Sequence, residues 1–467
     1  MTHALNNWDS MSFNEQEKLQ DKKIKILVQE IAKYHPAYKK IMKENNIDSL
    51  SITSVNDFIK KFPFTSKEDI APIDENPYIP SYYIMQKTED PTYQPQFMIA
   101  TTGRTAFSTP FWYTNWDMKN IMIPVAKRLC EVTGMGKADI VINSFPYSPH
   151  LAFWLVYYAT TDNGLTAIHT GGGKILGTQK IIDLTVAMKG TVFIGVPGYI
   201  YHAFKTALGY EKYLQDIHLL ITGGDRCTLT FRKRLIELLN SMNAQEPKIC
   251  AAYGFTESRM APLECPHPEG VDGELTGYHT YPDLEFWYCI NPKTGERVGP
   301  EEKGELVWTA LGGRGTIVMN YRTGDIAEAG IRYEKCPYCG RNVPIISSMI
   351  SRVSDVKTVK FDKVKGTLVD LNQFYTIMPE HGKIDEWQII LQKGESMIDE
   401  LIVNISPKKP KKLNKKKFIE DMKNYIKENM EISPNVINIM SSDEISRSLG
   451  METQLKEKRI LDIRPKY

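Results

Sequence analysis

The chain has 467 residues, with 58 Lys and Arg against 56 Asp and Glu, and 42% of its residues are hydrophobic. At about 150 residues per domain, this length is enough for roughly three domains, or for one large domain and a smaller one. A net charge of +2 gives no general affinity for polyanions, which argues against a dedicated nucleic-acid binder. No run of about 18 apolar residues could span a membrane. The polar residues 1–14 do not follow a signal-peptide pattern, and seven cysteines in so long a chain need no disulfide framework, so we expect a cytoplasmic protein.

Helix and strand patterns alternate along the first two thirds of the chain. Residues 15–45 carry apolar residues at helical spacing and are predicted to form a helix. Further on, the predicted strands are 139–143, 191–196 and 218–222, and the helical patterns that follow them are 151–159, a helix from Pro197, and 231–242. This alternation predicts an α/β fold with a parallel sheet, whose ligand loops lie at the carboxyl ends of the strands.

The pattern changes past residue 355. Strand patterns at 384–392 and 400–405 precede a helix with one apolar face, formed by Phe418, Met422, Tyr425, Ile426 and Met430. We therefore predict a large multi-layer α/β domain over residues 1–352 and a small α+β domain over residues 353–467. The segment 406–417 carries seven lysines. A solvated loop before the helix is favoured for this segment over a polyanion site.

Three short motifs carry the chemistry. Residues 100–105 form a small, hydroxyl-rich turn of the kind that cradles phosphate oxygens. Residues 253–257, Tyr-Gly-Phe-Thr-Glu, place an aromatic ring, a turn, a hydroxyl and a carboxylate close together. Residues 321–325, Tyr-Arg-Thr-Gly-Asp, end on a carboxylate that can accept hydrogen bonds from a ribose diol. Each motif alone is a weak indication of function, but the three motifs in this order within an α/β pattern are a specific one.

In this order the motifs resemble those of the adenylate-forming superfamily, and within it the phenylacetate–coenzyme A ligase-like branch. Further segments also resemble that branch. The segment 336–341, Cys-Pro-Tyr-Cys-Gly-Arg, followed by 351–355, resembles its Cys-Gly-Arg and Gly-Arg-x-Asp run. The segment 447–464 resembles its C-terminal lysine motif. The resemblance covers roughly residues 20 to 464. It implies an ATP-dependent, AMP-forming acid–coenzyme A ligase that uses Mg²⁺, forms an acyl-adenylate and then the thioester.

The resemblance also implies residue roles. Thr256 is expected to contact phosphate, Glu257 to hold Mg²⁺, and Lys456 to bridge the two anionic reactants, while the small domain swings about Asp355. Tyr253 is expected to lie against the adenine. The residues implied to bind the nucleotide are Thr101, Thr102, Gly103, Thr105, Gly223, Gly224, Asp225, Tyr253, Gly254, Asp325 and Arg352.

Two departures from the family pattern stand in the sequence. The phosphate loop lacks the glycine and lysine usual after its first residues, and Arg104 stands near the lost charge. In the tail, five residues separate Gly450 from the first lysine, so Lys456 and Lys458 compete for the catalytic role. We favour Lys456, because its spacing to Arg459 then matches the family. The altered loop also leaves a nucleotide-binding pseudoenzyme as an alternative function.

Four residues offer the ligands of a structural Zn²⁺. Cys336 and Cys339 have the spacing of half a zinc site. Cys265, His267 and His279 offer the other half, and the resemblance to the family favours Cys265 and His279. Reduced thiols in a Pro-Gly turn are the alternative, and the sequence leaves both open. The other cysteines are predicted to be small buried hydrophobes.

The acid substrate is the least defined part of the site. The resemblance places the acyl pocket among Phe145, Tyr147, His150, Trp154, Pro197 and Ala251. His150 either contacts the substrate or forms a hydrogen bond within the fold. The partner is expected to be a small carboxylic acid, with no nucleic acid or membrane and with a homodimer as the expected assembly. A second enzymatic alternative passes the acyl group to a carrier protein or an amine instead of coenzyme A.

Overall fold

The structure, a computed structural model, describes residues 7–67, 69–70, 84–101, 109–269, 275–353, 356–359, 367–394, 398–410, 413–430, 432–450 and 458–464. Two large hydrophobic cores organise these residues, one drawn from residues 8–346 and the other from residues 369–437. The α/β class with a larger first part and a smaller second part is confirmed, while the boundary at residue 352 stays a prediction. Within the described ranges, none of the helices has both the length and the apolar character needed to cross a bilayer.

The chain begins with helices α1 (Asn7–Ser10), α2 (Phe13–Tyr34), α3 (Pro36–Glu44) and α4 (Val55–Lys61). The single helix predicted over 15–45 is wrong, because the helix breaks at His35. Proline has no N–H and disfavours the helical conformation of the residue before it. His35 is accordingly extended, with φ −108° and ψ 107°. Pro36 then opens α3, at a position where a missing N–H costs nothing.

A parallel sheet forms the centre of the larger part. The elements before and within it are β1 (Pro95–Ala100), β2 (Pro110–Thr114), α5 (Asn115–Asp117), α6 (Ile123–Thr133), β3 (Ile140–Asn143), α7 (Leu151–Asp162), β4 (Thr166–His169), α8 (Gly173–Leu176), α9 (Thr178–Ala187), β5 (Val192–Gly195), α10 (Pro197–Gly209), β6 (Leu219–Gly223), α11 (Leu229–Ser241) and β7 (Lys248–Ala252). The strand order is β4-β3-β5-β6-β7, with all pairs parallel. The predicted parallel sheet is confirmed, and its order reverses between β3 and β5, where ligands bind in such sheets.

Antiparallel strands follow the parallel sheet. They are β8 (Tyr278–His279), β9 (Glu285–Ile290), β10 (Gly304–Ala310), β11 (Tyr321–Ala327), β12 (Ile331–Arg332), β13 (Ile345–Ile346) and β14 (Ile350–Arg352). Four of them form a sheet in the order β14-β11-β10-β9. The sequence analysis did not predict this sheet. All residues of β9 and β10 are buried, so these strands lack the alternation of apolar and polar residues that marks a half-exposed strand.

The smaller part is an α+β layer. Its elements are β15 (Val356–Val359), β16 (Thr367–Asp370), α12 (Phe374–Glu380), β17 (Ile384–Lys393), β18 (Asp399–Pro407), α13 (Lys415–Met430), β19 (Val436–Ile439), α14 (Ser442–Leu449) and β20 (Ile460–Asp462). The sheet order is β19-β18-β17-β20. The predicted strands and the predicted helix are confirmed, since α13 buries Phe418, Met422, Ile426 and Met430.

Glu285, at the start of β9, is a buried carboxyl that ties two strands of the antiparallel sheet. Its Oε1 accepts a hydrogen bond from the Tyr281 N–H at 3.0 Å, and its Oε2 accepts one from the Trp308 Nε1–H at 2.9 Å. Only 1% of the residue is exposed. Burial therefore raises the pKa of Glu285 to about 7, although both hydrogen bonds oppose the rise.

We expect the free energy of unfolding to fall as the pH rises from about 4.5 to about 7, because the unfolded state loses the Glu285 proton first. This contribution is complete below the unfolded pKa and amounts to about 3 kcal/mol. Urea unfolding followed by tryptophan fluorescence, at several pH values, should show the fall in the wild type and its loss in Glu285→Gln. The exposed-site control Glu17→Gln should keep it. Parallel pH profiles for the wild type and Glu285→Gln would contradict this assignment.

Candidate active site

Two tyrosine–carboxylate hydrogen bonds join the second and third motifs. The Tyr253 hydroxyl donates to Asp325 Oδ2 at 3.0 Å, and the Tyr321 hydroxyl donates to Glu257 Oε1 at 3.1 Å. Each motif therefore gives one hydroxyl and receives one. Segment 253–257 follows β7 and the other motif opens β11, so this exchange fixes the antiparallel sheet against the carboxyl end of the parallel sheet.

Aromatic rings enclose the exchange. The Tyr253 ring lies 5.6 Å from Tyr278 and 5.9 Å from Trp287, and Phe255 stacks on Tyr321 at 5.7 Å between centroids. Burial, with the Asp325 carboxylate beside it, raises the pKa of Tyr253 well above its ordinary value. The hydroxyl therefore stays protonated and acts as the donor.

Glu257 presents one carboxylate oxygen without a hydrogen bond. It lies in a single 3₁₀ turn, Thr256–Ser258, and is 6% exposed. Its Oε1 accepts the Tyr321 hydroxyl, whereas Oε2 has no hydrogen-bond partner among the residues the structure describes. A carboxylate oxygen in this state fits a hard cation such as Mg²⁺. Gly254 is required by close packing, because a Cβ there would lie 3.0 Å from the Met260 carbonyl oxygen.

Asp325 connects the motif to the end of the larger part. Its Oδ1 pairs with Arg352 Nε at 3.2 Å, since the two residues are opposite one another in the β11–β14 register. Asp325 is 7% exposed, while the Arg352 side chain is 45% exposed. The carboxylate is thus held on both oxygens, by Arg352 and by Tyr253.

The loop after β6 brings residues predicted to bind the nucleotide next to a residue predicted to line the acyl pocket. Gly224 has φ +82°, a conformation that favours glycine. Asp225 Oδ1 accepts the Arg226 N–H at 2.7 Å and so closes the turn. A Cβ on Gly223 would lie 3.4 Å from Phe145 Cζ. Phe145 follows β3, so the predicted acyl residue and the glycine turn meet at the carboxyl edge of the sheet.

Only the base of the phosphate loop lies within the described residues. Thr101 is 6% exposed, and its Oγ1 accepts the Thr109 N–H at 3.0 Å. The His150 ring nitrogen Nδ1 lies 2.8 Å from the Ala100 carbonyl oxygen. His150 therefore forms a hydrogen bond within the fold, next to the loop base. Thr102, Gly103, Arg104 and Thr105 lie outside the described residues, as do Asp355 and Lys456.

The other acyl-pocket candidates are spread over the same edge. Tyr147 is 60% exposed and packs against Trp154 at 5.9 Å between ring centroids. Trp154 donates its Nε1–H to the Ser148 carbonyl oxygen. Pro197 is the first residue of α10, and Ala251 lies buried in β7. Among the six candidates, Phe145 is the one for which the structure describes a contact with the glycine turn.

Two buried ion pairs that the sequence analysis missed support the motifs. Arg232 donates to both oxygens of Glu264, at 2.7 and 3.0 Å, and Glu264 Oε2 also accepts the Ala251 N–H at 2.7 Å. Arg259, two residues beyond Glu257, is fully buried at φ +58° with Asp117 3.7 Å away. Neither pair has a local pattern, since the partners are distant in the chain; an arginine just past a carboxylate motif is the one available signal.

The four metal-ligand candidates converge. Cys265 Sγ and Cys336 Sγ are 3.9 Å apart, Cys339 Sγ is 3.3 Å from His279 Nε2, and all four ligand atoms lie within 4.8 Å of one another. Sulfurs around a tetrahedral Zn²⁺ with bonds of about 2.3 Å are about 3.8 Å apart, so the geometry fits. The His279 Nδ1 lies 2.9 Å from the Leu263 carbonyl oxygen, which orients Nε2 towards the sulfurs.

The remaining cysteines are buried, as predicted. Burial raises the pKa of the Cys227 thiol to about 11 and of the Cys130 and Cys289 thiols to about 12. Cys250 is also fully buried. These four side chains therefore remain protonated thiols and act as small apolar groups.

Comparisons with known proteins agree with the motifs. No model of a protein family matches the chain. The chain is 25% identical over 446 residues to the phenylacetate–coenzyme A ligase of Pseudomonas putida, covering 91% of this chain and 90% of the relative. It is 22% identical over 399 residues to the enzyme of the same name from Thermus thermophilus, covering 82% of each.

A solved 2-hydroxyisobutyryl-CoA ligase has the same fold in two states. In its postadenylation state the TM-score is 0.80 at 18% identity, over 97% of this chain and 91% of that chain. In its thioesterification state the TM-score is 0.66 at the same identity, over 98% of this chain and 91% of that chain. These similarities confirm the resemblance seen in the sequence: the chain is similar over most of its length to phenylacetate–coenzyme A ligases, and it shares its fold with a solved 2-hydroxyisobutyryl-CoA ligase.

Proposed function

We propose that the chain is an ATP-dependent, AMP-forming acid–coenzyme A ligase. The observation that carries this proposal is the exchange of hydrogen bonds between segments 253–257 and 321–325 at the carboxyl edge of the parallel sheet. The exchange gathers an aromatic wall and two carboxylates in one site. The phenylacetate–coenzyme A ligases to which the chain is similar over most of its length support the same reaction class.

In this proposal a small carboxylic acid attacks the α-phosphorus of ATP, and pyrophosphate leaves. Tyr253 packs against the adenine, the turn of Gly223, Gly224 and Asp225 lines the nucleotide pocket, and Asp325 accepts hydrogen bonds from the ribose hydroxyls. The coenzyme A thiol then attacks the acyl carbonyl, and AMP leaves as the new thioester bond forms. Arg352 holds Asp325 in place for this role.

The anionic reactants repel each other, and cationic groups must offset this repulsion. Glu257 would hold Mg²⁺, which, when bound, neutralises phosphate charge. Thr256 contacts phosphate beside it, with Thr101 at the base of the phosphate loop. Lys456 supplies the charge between carboxylate and α-phosphate, and the swing of the small domain about Asp355 removes it for the second step.

A structural Zn²⁺ held by Cys265, His279, Cys336 and Cys339 belongs to the same proposal. Its support is the convergence of the four ligand atoms. We also propose a cytoplasmic location, where thiols stay reduced. A homodimer and the absence of nucleic-acid and membrane partners remain expectations from the sequence.

Pyrophosphate release from ATP, measured across a panel of small aryl, hydroxy-acyl and aliphatic acids with and without coenzyme A, tests the function. We expect release that needs both an acid and Mg²⁺, with a thioester when coenzyme A is present. Release without a thioester would indicate another acyl acceptor. No release with any acid would contradict the proposal and favour a pseudoenzyme.

Glu257→Gln should lower ATP–pyrophosphate exchange by about a hundredfold, because a neutral amide is a poor ligand for Mg²⁺. The amide oxygen can still accept the Tyr321 hydroxyl, so the melting temperature should change little. The exposed control Glu302→Gln should leave exchange unchanged. Wild-type exchange in a folded Glu257→Gln protein would remove Glu257 from the proposed site.

Lys456→Ala should slow adenylation by about two to three powers of ten, since one charge-assisted contact of the transition state is lost. Thioester formation from pre-made acyl-adenylate should be nearly unchanged, because that step uses the other domain position. Lys458→Ala is the matched control, and we expect neither half-reaction to change. The reverse outcome would move the catalytic role to Lys458, and no effect in either variant would exclude both lysines.

Purified protein should contain about one zinc per chain by elemental analysis, and Cys336→Ser should lose most of it, because a hydroxyl is a weak zinc ligand. The melting temperature should fall with the metal, since binding stabilises only the folded state. Cys289→Ser, at a buried cysteine outside the cluster, should keep the zinc. Wild-type protein without zinc, after purification free of chelators, would leave the four residues as ordinary side chains.

A further inference from the structure

The larger and smaller parts meet through polar contacts. The buried hydrophobic side chains that the structure describes form two separate large cores, one in each part. One contact joins Arg226, directly after the glycine turn, to Asn372 Oδ1 at 2.5 Å. Asn372 in turn accepts the Arg352 N–H and donates to the Arg352 carbonyl oxygen, both at 3.2 Å. A polar interface of this kind can open without exposing a core.

A further contact is a cluster of four residues around one carboxylate, named here the Asp385 cluster: Tyr201, Lys205, Arg234 and Asp385. Lys205 Nζ lies 2.6 Å from Asp385 Oδ2, and the Tyr201 hydroxyl donates to Oδ1 at 2.9 Å. Arg234 Nη2 donates to the Asp385 carbonyl oxygen and lies 3.5 Å from Oδ1. Asp385 is in β17, whereas the other members are in α10 and α11.

The half of the cluster in the larger part is also held together by contacts of its own. The Arg234 guanidinium lies 4.6 Å from the Tyr201 ring centroid, and its Nη2 donates to the Tyr201 hydroxyl at 2.7 Å. The Arg234 side chain is 7% exposed. The cationic groups of Lys205 and Arg234 therefore lie around one position, and the structure describes the Asp385 carboxylate at that position. Removing it would leave a nearly buried charge uncompensated.

Asp385 also receives a hydrogen bond from within its own part of the chain. The Ser442 hydroxyl, from the same smaller part, donates to Oδ2. Burial disfavours the charged form, yet the hydrogen bonds from Lys205 and Ser442 bring the pKa of Asp385 below its ordinary value. A cavity of about 550 Å³, lined also by Glu237 and Lys408, adjoins the cluster. Water can therefore reach the partners as they separate.

We propose that Asp385 is a positioning residue that holds the smaller domain in the adenylating position by docking on Tyr201, Lys205 and Arg234. The inference rests on the proposed function, and the higher TM-score against a postadenylation state supports the assignment of the position. Because the contact is electrostatic and local, losing it shifts the balance of domain positions without unfolding either domain.

The first test separates the half-reactions. Asp385→Asn keeps the shape but removes the charge, and we expect ATP–pyrophosphate exchange to fall about tenfold or more. Thioester formation from pre-made acyl-adenylate should be unchanged or faster. Asp421→Asn is the matched control, since its nearest cation, Lys383 at 3.9 Å, lies in the same domain. Equal losses in both half-reactions, with an unchanged melting curve, would overturn the proposal.

The second test needs no catalysis. Fluorophores placed through non-natural amino acids at Leu50 and Lys427, both exposed, report the distance between the domains. We expect one main distance in the wild type and in Asp421→Asn, and a shifted or broadened distribution in Asp385→Asn. Lys205→Met, made on the opposite side, should give the same change even if Asp385→Asn folds poorly. An unchanged distribution in both would reject the proposal, whereas absent pyrophosphate release with a changed distribution would reject only the proposed function.

Discussion

The site depends on an exchange of hydrogen bonds between two motifs that are about 70 residues apart in the chain. Tyr253 donates to Asp325, and Tyr321 donates to Glu257. Each carboxylate is thereby oriented by a hydroxyl from the other motif, and neither motif can move alone without leaving a buried acceptor unpaired. The two sheets that carry the motifs are therefore held in one relative position, and the Glu257 oxygen that has no hydrogen-bond partner among the described residues lies in the segment that follows β7.

Buried ion pairs next to the site also help to fix the positions of its motifs. Glu264 receives Arg232 on both oxygens and also fixes the backbone of β7 at Ala251, just before the turn that carries Tyr253. Arg259 lies buried beyond Glu257, and its carbonyl oxygen accepts the Tyr113 hydroxyl at 3.0 Å. Buried pairs of this kind are poor sources of net stability but strongly favour one arrangement over its alternatives. Their cost is consistent with a site that must present carboxylates at fixed positions.

The parallel sheet and the Cys336–Cys339 pair could be predicted from the sequence, because strand–helix alternation and ligand spacing are local patterns. The choice of Cys265 and His279 needed the resemblance to the family. The break at His35 followed from Pro36 and was missed only because the apolar spacing continues across it. The sheet of β9, β10, β11 and β14 could not be predicted, since burial on both faces removes its alternation. Long-range pairs such as Arg232 with Glu264 leave no trace in either partner's neighbourhood.

The contrast between the cores and the interface between the parts would allow one chain to hold a rigid site and still undergo the proposed domain movement. Apolar burial is strong and non-directional, so a shared hydrophobic core would fix the two parts in one position. The described contacts instead include directional ones at Asn372, Tyr375 and Asp385. Such contacts define one position closely when they are made and contribute little once the partners separate and bind water. The Arg226–Asn372 contact also adjoins the glycine turn, so the proposed change of domain position would alter the edge of the proposed nucleotide pocket.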